Sequence, residues 1–479
     1  QTVVRAAGMV FGRSSAPQRP ATAPASGSKS PPAATLKRKD TLSTLMANEP
    51  DDLSQLLSLD EDSVHDALRS RYEKRKIYTY INNLLVALNP YQLLPIYGED
   101  LLKAYTEYGS APPGPHVYGV GAATYRGLLE ARSQSIIISG ESGAGKTETA
   151  KRFLQYLAYA ATRGGSSSSH GLEERVLATS PLLEAFGNAQ TVLNHNSSRY
   201  GKFLMLQFDL SGRIMGCTIQ TYLLEKVRIV QQQPGERGYH VLYYLAAGAP
   251  APARAELALG DITSYHYLGW AKAVAAKGQE QDDRAMFAST EAAMRAVGFG
   301  PSELRWVWAL LAAVLSLGNV TFKEEGDATA VADHKALSLV GATLRFDARA
   351  MGSALTTRRI KAGGEWITTP VKMADALGLR DGFAKAIYSK TFAWIVGTIN
   401  THLYTGEEAD MANDIFVANK ARFFVGILDI FGFEIFEVNS LEQLCINFTN
   451  EKLQATFNQA VFQAAMEENA EEGVSVEVA

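Results

Sequence analysis

A glycine-rich segment in the first third of the chain constrains the fold more than any other feature of the sequence. It lies between an apolar run, 135–138, and a stretch with apolar residues at helical spacing, 147–160, and it reads Gly140-Glu141-Ser142-Gly143-Ala144-Gly145-Lys146-Thr147. Small residues allow backbone N–H groups to point at phosphate oxygens, and the start of the following helix adds a partial positive charge. This order of strand, loop and helix predicts an α/β fold that binds phosphate groups.

Two side chains of this loop indicate a more specific chemistry. The ammonium group of Lys146 can reach the outer phosphates of a nucleotide, and the hydroxyl of Thr147 can ligate Mg²⁺. The alternative interpretation is a chance match in an ordinary turn. It is weakened because the flanking sequence predicts both the strand and the helix that the site needs.

Composition limits the class of protein. The 479 residues carry a net charge of −4 and are 46% apolar, so they can form one large globular unit with subdomains. A charge this small argues against nucleic acid as the partner of the whole chain, and the longest apolar stretch, 306–317, is too short to span a bilayer. The two cysteines, Cys217 and Cys445, lack a metal-ligand spacing and are typical of a reducing compartment. We therefore expect a cytoplasmic protein with no nucleic-acid partner and no membrane span.

Local patterns predict several elements that matter below. Residues 1–48 are basic and rich in Ala, Ser and Pro, so we expect a disordered extension there. The other predictions are a single strand at 80–88, a hairpin at 203–209 and 213–224, a buried strand at 423–428, and a long helix at 441–466.

Three segments resemble the nucleotide-binding elements of myosins. The glycine-rich loop, continued by Glu148 and Thr149, is similar to the myosin version of this loop. The first switch of myosins resembles Asn194-His195-Asn196-Ser197-Ser198-Arg199-Tyr200-Gly201-Lys202, and the second switch resembles Asp429-Ile430-Phe431-Gly432-Phe433-Glu434. The resemblance implies an α/β fold with a P-loop NTPase core, a mixed central β-sheet flanked by helices, and a large, mostly helical insertion.

The same resemblance implies roles in the hydrolysis of ATP with Mg²⁺ as the metal. Phosphoryl transfer to water needs a fixed metal, a positioned nucleophile and stabilisation of the charge that develops on the γ-phosphate. Ser198 would join Thr147 as a direct metal ligand, and Asp429 would hold the metal through water. Ser197 would position the attacking water, and the N–H group of Gly432 would bond the γ-phosphate.

Closure of the site is also implied. Arg199 and Glu434 would form an ion pair only when the two switches meet, which makes this pair the gate of the reaction. Asn194 would bind phosphate from the side, and Asn196 and Glu148 would add further contacts with the nucleotide.

A fourth segment resembles the purine-binding loop of myosins. Asn89, Pro90, Tyr91 and Tyr97 are the matching residues, and an aromatic ring and an amide among them would hold adenine. The alternative is an ordinary strand end that stops at a proline.

The resemblance runs from about residue 71 to 472 and implies a domain organisation. We expect the extension at 1–48, an N-terminal motor part with the purine-binding loop and P-loop at 49–172, the first switch with an upper actin-facing helical subdomain at 173–425, and the second switch with a relay helix at 426–479. Residues 49–479 would then be a partial motor domain. We expect a fragment, because no segment resembles the converter or the lever.

The implied function is that of an actin-based motor ATPase associated with the cytoskeleton. Actin filaments are the expected partner, and light chains or calmodulin would bind only if a longer chain carries a neck. Glu365 lies at an actin-facing site that is acidic or phosphorylatable in myosins, although a solvated loop glutamate is the plain alternative. Two other functions stay open: a non-motile nucleotide-binding interaction module or truncated gene product, and a kinesin-like P-loop ATPase, which the segment 429–434 disfavours.

Overall fold

The fold is built around a mixed β-sheet. The computed structural model describes residues 2–7, 50–107, 113–162, 170–269, 279–326, 328–403, 423–435 and 439–473. Its strands are Thr2–Ala7 (β1), Tyr78–Ile81 (β2), Leu84–Leu88 (β3), Gln134–Ser139 (β4), Asn188–Ala189 (β5), Ser197–Ser198 (β6), Gly201–Phe208 (β7), Ile214–Tyr222 (β8), Phe322–Glu325 (β9), Ala328–Val331 (β10), Thr357–Ala362 (β11), Glu365–Pro370 (β12) and Phe423–Asp429 (β13).

The main sheet has the strand order β2-β3-β1-β4-β13-β7-β8. Strand β1 runs parallel to β3 and β4, and β4 runs parallel to β13, whereas β2–β3, β13–β7 and β7–β8 are antiparallel pairs. The sheet is therefore mixed, as the sequence predicts. Three short antiparallel pairs, β5–β6, β9–β10 and β11–β12, lie outside it.

Helices surround the sheet and fill the long connection between β8 and β13. They are Glu61–Glu73 (α1), Glu99–Glu107 (α2), Val117–Leu129 (α3), Lys146–Thr162 (α4), His170–Gly187 (α5), His240–Gly248 (α6), Ala251–Glu256 (α7), Gln279–Val297 (α8), Pro301–Gly318 (α9), His334–Leu344 (α10), Ala348–Thr356 (α11), Met373–Leu403 (α12) and Leu441–Glu471 (α13). Helices α6 to α12 form the predicted helical insertion. No helix within the described ranges is long and apolar enough to cross a membrane.

Strand register brings the three predicted nucleotide-binding segments to one edge of the sheet. Strands β4 and β13 are parallel neighbours, with Asp429 paired to Ile138, so the phosphate loop after β4 and the second switch after β13 leave the sheet side by side. Strand β7 is antiparallel to β13 and pairs Lys202 with Asp429. The first switch, which precedes β7, therefore reaches the same edge.

Two predictions about the N-terminal region are wrong. Thr2–Ala7 form a strand between β3 and β4, so disorder does not extend over these residues of the expected extension 1–48; residues 8–49 lie outside the described residues. The apolar run 80–88 is a hairpin rather than one strand, because Asn82 adopts a left-handed backbone with φ 50° and reverses the chain. The other predicted elements are confirmed: the hairpin β7–β8, the strand β13 and the helix α13.

Candidate active site

The glycine-rich loop forms the floor of the site. Gly143 and Gly145 have φ values of 81° and 91°, in the left-handed region where a Cβ would be strained. Helix α4 begins within the last two residues of the loop, at Lys146. The Nζ of Lys146 donates hydrogen bonds to the carbonyl oxygens of Gly140 at 2.8 Å and of Glu141 at 2.7 Å. The lysine thus lies across its own loop, where the helix N-terminus favours an anion.

The charge on Lys146 is costly in this position. The side chain is buried, and burial lowers its pKa to about 8, although the charges of Asp429, Glu434 and Glu141 partly offset this effect. An anionic ligand would offset the cost of burial further and favour the charged form. The site is therefore set to receive negative charge.

A cavity opens above the loop between the two predicted switches. Twelve of the predicted site residues line it: Asn89, Ser142, Gly143, Gly145, Lys146, Thr147, Glu148, Asn194, Asn196, Ser197, Ser198 and Gly432. The structure thus brings together parts of the chain that are separated by more than 300 positions in the sequence. Six further predicted residues belong to the same segments but do not line the cavity: Gly140, Glu141, Ala144, Arg199, Asp429 and Glu434.

The predicted metal ligands are oxygen donors. The hydroxyl oxygens of Thr147 and Ser198 lie 3.4 Å apart at the cavity wall. Asp429 is buried at the end of β13, and one of its carboxylate oxygens lies 3.3 Å from the Nζ of Lys202. No group of three or more His, Cys, Asp or Glu residues that could hold a metal occurs in the described part of the chain. Two hydroxyls and one carboxylate fit Mg²⁺, which prefers oxygen ligands and keeps several of its waters.

Arg199 and Glu434 join the two switches. Each side chain is only 1% exposed. The guanidinium donates from Nη2 to Oε2 of Glu434 at 3.0 Å and from Nη1 to Oε1, which makes the pair bidentate. Nη1 of Arg199 also donates to the hydroxyl of Ser197 at 3.2 Å. The predicted gate is closed in this structure.

The second switch is also held from behind by helix α13. The backbone N–H of Glu434 donates to the side-chain oxygen of Asn447 at 2.9 Å, and the amide of Asn447 returns a bond of 2.7 Å to the Glu434 carbonyl. Asn450 donates to the carbonyl of Phe431 at 3.0 Å. Helix α13 is therefore hydrogen-bonded to the segment that carries Glu434.

Gly432 packs directly on the phosphate loop. A Cβ at this position would lie 2.5 Å from backbone atoms of Glu141 and Ser142 and 2.6 Å from the carbonyl oxygen of Gly140. Real Cβ atoms do not approach backbone so closely, so only glycine fits here while the gate is closed.

Comparison with known proteins assigns the family. A family model described as myosin head (motor domain) matches residues 50–479. The chain belongs to the myosin head family. It is 42% identical to Myosin-17 of Arabidopsis thaliana over 434 residues, which cover 89% of this chain and 27% of that protein. It is 37% identical to unconventional myosin-IXa of Homo sapiens over 445 residues, which cover 89% of this chain and 17% of that protein. The chain thus spans less than a third of the length of these curated relatives.

The predicted first switch reaches the cavity through Asn194, Asn196, Ser197 and Ser198. The amide of Asn196 is already occupied, since it donates to Glu184 at 3.1 Å and accepts from His240 at 3.2 Å. The backbone N–H of Asn196 is occupied as well, because it donates to the side-chain oxygen of Asn194 at 3.0 Å.

The segment that resembles a purine-binding loop meets the cavity only at Asn89, whose side chain donates to the carbonyl of Gly143 at 2.7 Å. Pro90, Tyr91 and Tyr97 do not line the cavity, and Tyr91 is 65% exposed. Tyr97 instead packs under the guanidinium of Arg152, which lies 4.3 Å from the ring centroid.

The sequence did not predict two residues of the site. Lys151 lines the cavity and pairs with Glu184 at 2.7 Å; its position four residues after Thr147, on one face of α4, is the signal that could have found it. Glu225 is 7% exposed and accepts from the Nε of Arg199 at 2.8 Å. It follows Arg199 by 26 positions, and no local pattern links the two.

Proposed function

We propose that this myosin head binds ATP with Mg²⁺, hydrolyses it to ADP and phosphate, and couples this cycle to actin filaments. The observation that carries the proposal is the buried bidentate pair of Arg199 and Glu434, which joins the two switches beside the phosphate loop. A buried ion pair that only stabilised the fold would be a weak choice, because a well-packed apolar pair often does as well. A pair that must form and break with the nucleotide state has a reason to be charged.

Nucleotide binding begins with Lys146 in this proposal. Its Nζ exchanges the carbonyls of Gly140 and Glu141 for oxygens of the β- and γ-phosphates, so the charge of a buried lysine gains an anionic partner. Thr147 and Ser198 would hold the metal directly, and Asp429 would hold it through water. When bound, Mg²⁺ neutralises charge on the phosphate oxygens.

Hydrolysis requires a water molecule in line with the bond that breaks. The Ser197 hydroxyl accepts from Nη1 of Arg199, which fixes its oxygen and leaves its proton free to orient that water. The N–H group of Gly432, held against the phosphate loop, would stabilise the charge that develops on the γ-phosphate. The closed gate excludes bulk water from the reaction.

The bonds between the second switch and α13 support a mechanical coupling. If Glu434 moves when the gate opens, the paired bonds between its backbone and Asn447 carry the movement into the helix. Because α13 is a single helix of 31 residues, a small rotation at its start becomes a larger displacement at its end. We assign it the role of a relay helix.

The domain organisation and the actin interface are part of the same proposal. We retain an N-terminal part at 49–172, a first-switch and actin-facing part at 173–425, and a second-switch part at 426–479. The hairpin β11–β12 supports the actin-facing role, because Glu365 begins β12 and the neighbouring Trp366 is 60% exposed. Actin filaments would place the protein on the cytoskeleton.

Nucleotide binding tests the first part of the proposal. Titration with a fluorescent ATP analogue in the presence of Mg²⁺ should saturate at one nucleotide per chain, and Lys146→Ala should abolish the signal. Lys103→Ala is the matched control, because Lys103 is an exposed lysine of α2, away from the cavity. Equal binding by the Lys146→Ala variant and its parent would refute the assigned site.

Cosedimentation with actin filaments tests the second part. Binding that is released when Mg·ATP is added would support a motor cycle. Nucleotide binding without any actin binding, in either condition, would instead support a non-motile nucleotide-binding module.

A further inference from the structure

A buried run of alternating charges extends from the gate into the protein. Arg228 donates to Glu236 at 2.8 Å and to Glu225 at 2.5 Å, Glu225 accepts from Nε of Arg199 at 2.8 Å, and Arg199 holds Glu434. Each of these side chains is at most 7% exposed. We call Glu236, Arg228, Glu225, Arg199 and Glu434 the charge ladder.

Arg199 uses different edges of its guanidinium for its two carboxylate partners. Glu434 accepts hydrogen bonds from the two terminal nitrogens, Nη1 and Nη2, whereas Glu225 accepts one from Nε. The planar guanidinium can satisfy both at once, because its donors point in fixed and separate directions. Removal of Glu434 therefore leaves the bond with Glu225 intact.

Glu225 is itself firmly anchored. Its backbone N–H donates to the carbonyl of Arg199 at 3.0 Å, and its own carbonyl accepts from the hydroxyl of Tyr239 at 2.8 Å. Arg228 donates from Nε to the same carboxylate oxygen of Glu225 that Arg199 contacts, at 2.5 Å, and from Nη2 to the other oxygen at 3.4 Å. Burial raises the pKa of this carboxyl, but the charges of Arg199 and Arg228 outweigh burial and keep the pKa below its ordinary value. Glu225 is therefore a fixed anion.

The need for such an anion follows from the cost of a buried charge without a partner. If Glu434 were the sole partner of Arg199, each opening of the gate would strand a buried guanidinium, which would then turn toward water. The Arg199 side chain would then have to return from many rotamers to a single one at each closure, at a cost in conformational entropy.

We propose that Glu225 is a positioning residue, which holds Arg199 in the orientation that Glu434 meets when the second switch closes. This inference rests on the proposed function, in which the pair of Arg199 and Glu434 opens and closes with the nucleotide. Glu225 and Arg199 then form the fixed side of the gate, and Glu434 is the moving side.

The first experiment compares two ligands of the chain. In the proposed function, Mg·ADP binds while the gate is open. Mg·ADP·vanadate mimics the transition state of γ-phosphate cleavage and therefore needs the closed gate. In Glu225→Gln we expect the affinity for Mg·ADP to be unchanged and the affinity for Mg·ADP·vanadate to fall about tenfold, which corresponds to about 1.4 kcal/mol. Glu236→Gln is the matched control, because Glu236 is an equally buried carboxylate of the ladder that does not touch Arg199.

The outcomes are distinct. An equal fall in both variants would assign the ladder to stability alone, and an unchanged vanadate affinity in Glu225→Gln would overturn the proposal. If the parent protein binds Mg·ADP and Mg·ADP·vanadate with equal affinity, the proposed function fails. The role of Glu225 is then tested by the position of Arg199 in a crystal structure.

A crystal structure of Glu434→Ala provides that judgement and does not require a Glu225 variant to fold. The proposal expects Nε of Arg199 to stay within about 3.2 Å of the Glu225 carboxylate. An Arg199 side chain that has left Glu225 and turned toward the cavity or solvent would refute it.

Discussion

Replacing Gly432 with alanine tests how closely the second switch must approach the phosphate loop. The added Cβ would lie 2.5 Å from backbone atoms of Glu141 and Ser142. Carbon atoms in contact prefer separations of about 3.5 to 4.0 Å, so the two backbones have to move apart by roughly 1 Å. Gly432 does not have a left-handed backbone, so the overlap, rather than backbone strain, drives this displacement.

The displacement acts on the gate two residues further along the chain. The bond of 3.0 Å between Arg199 and Oε2 of Glu434 would lengthen to about 4 Å, beyond hydrogen-bonding range. The N–H group of residue 432 would also retreat from the γ-phosphate. Because a misplacement of about 1 Å can cost roughly 10²-fold in rate, we expect hydrolysis to slow by about 100-fold or more. Binding of Mg·ADP depends on Lys146 and Thr147 and should be close to that of the parent.

Two assays separate these effects. Titration with a fluorescent ADP analogue measures binding, and rapid-quench single turnover with γ-labelled ATP measures cleavage. Gly397→Ala is the matched control, because Gly397 lies in α12 and, apart from its own helix, no atom of the described residues lies within 4 Å of where an alanine Cβ would be. Cleavage of ATP by Gly432→Ala at the parental rate, or a loss of ADP binding as severe as the loss of cleavage, would refute the expected separation of the second switch from the phosphate loop.

Three further predictions concern protonation, packing and thiol reactivity. The pKa of Lys146 is lowered to about 8, and a bound phosphate favours the charged form of this lysine. Nucleotide binding should therefore be accompanied by proton uptake above about pH 8 and by almost none near pH 7. Calorimetry in buffers of different ionisation enthalpy measures this uptake. Gly187→Ala would place a Cβ 2.1 Å from the buried ring of Tyr200, and we expect the free energy of unfolding, measured with urea, to fall by about 1 to 3 kcal/mol. Cys445 is exposed whereas burial raises the pKa of the Cys217 thiol, so a disulfide reagent should label Cys445 first, as peptide mass spectrometry would detect.

Each of these predictions has a definite opposite result. Proton release on nucleotide binding above pH 8 would contradict the lowered pKa of Lys146, since affinity is expected to fall as the pH rises through that value. An unchanged urea midpoint for Gly187→Ala would show that the Tyr200 ring can move freely. Labelling of Cys217 at the rate of Cys445 would contradict the burial of β8.

The sequence predicts well which segments line the cavity, because these segments are contiguous and have distinctive chemistry. The glycines identify the loop that ends in Lys146 and Thr147. The second switch follows a strand, and the first switch precedes one, whose β-branched or aromatic residues are evident in the sequence. Parallel pairing of β4 with β13 and antiparallel pairing of β13 with β7 then bring these segments together. Local patterns and a rule of sheet topology suffice for this part.

The features that the sequence does not predict depend on distant contacts or on a single backbone angle. An apolar run such as 80–88 gives no sign that Asn82 turns left-handed within it. The strand Thr2–Ala7 pairs with residues about 80 and 130 positions away, and its surroundings in the sequence are typical of disorder. A charged residue such as Glu225 is ordinarily exposed, and only the fold shows that it lies buried behind Arg199.

In the proposed mechanism, ATP is cleaved only when Arg199 and Glu434 join the two switches. Single-turnover cleavage of Mg·ATP by Glu434→Ala, compared with its parent at saturating protein, tests this claim most directly. We expect the variant to bind Mg·ATP and to cleave it at least about 100-fold more slowly, because its second switch no longer holds the arginine. Cleavage by Glu434→Ala at the parental rate, with binding intact, would contradict the account.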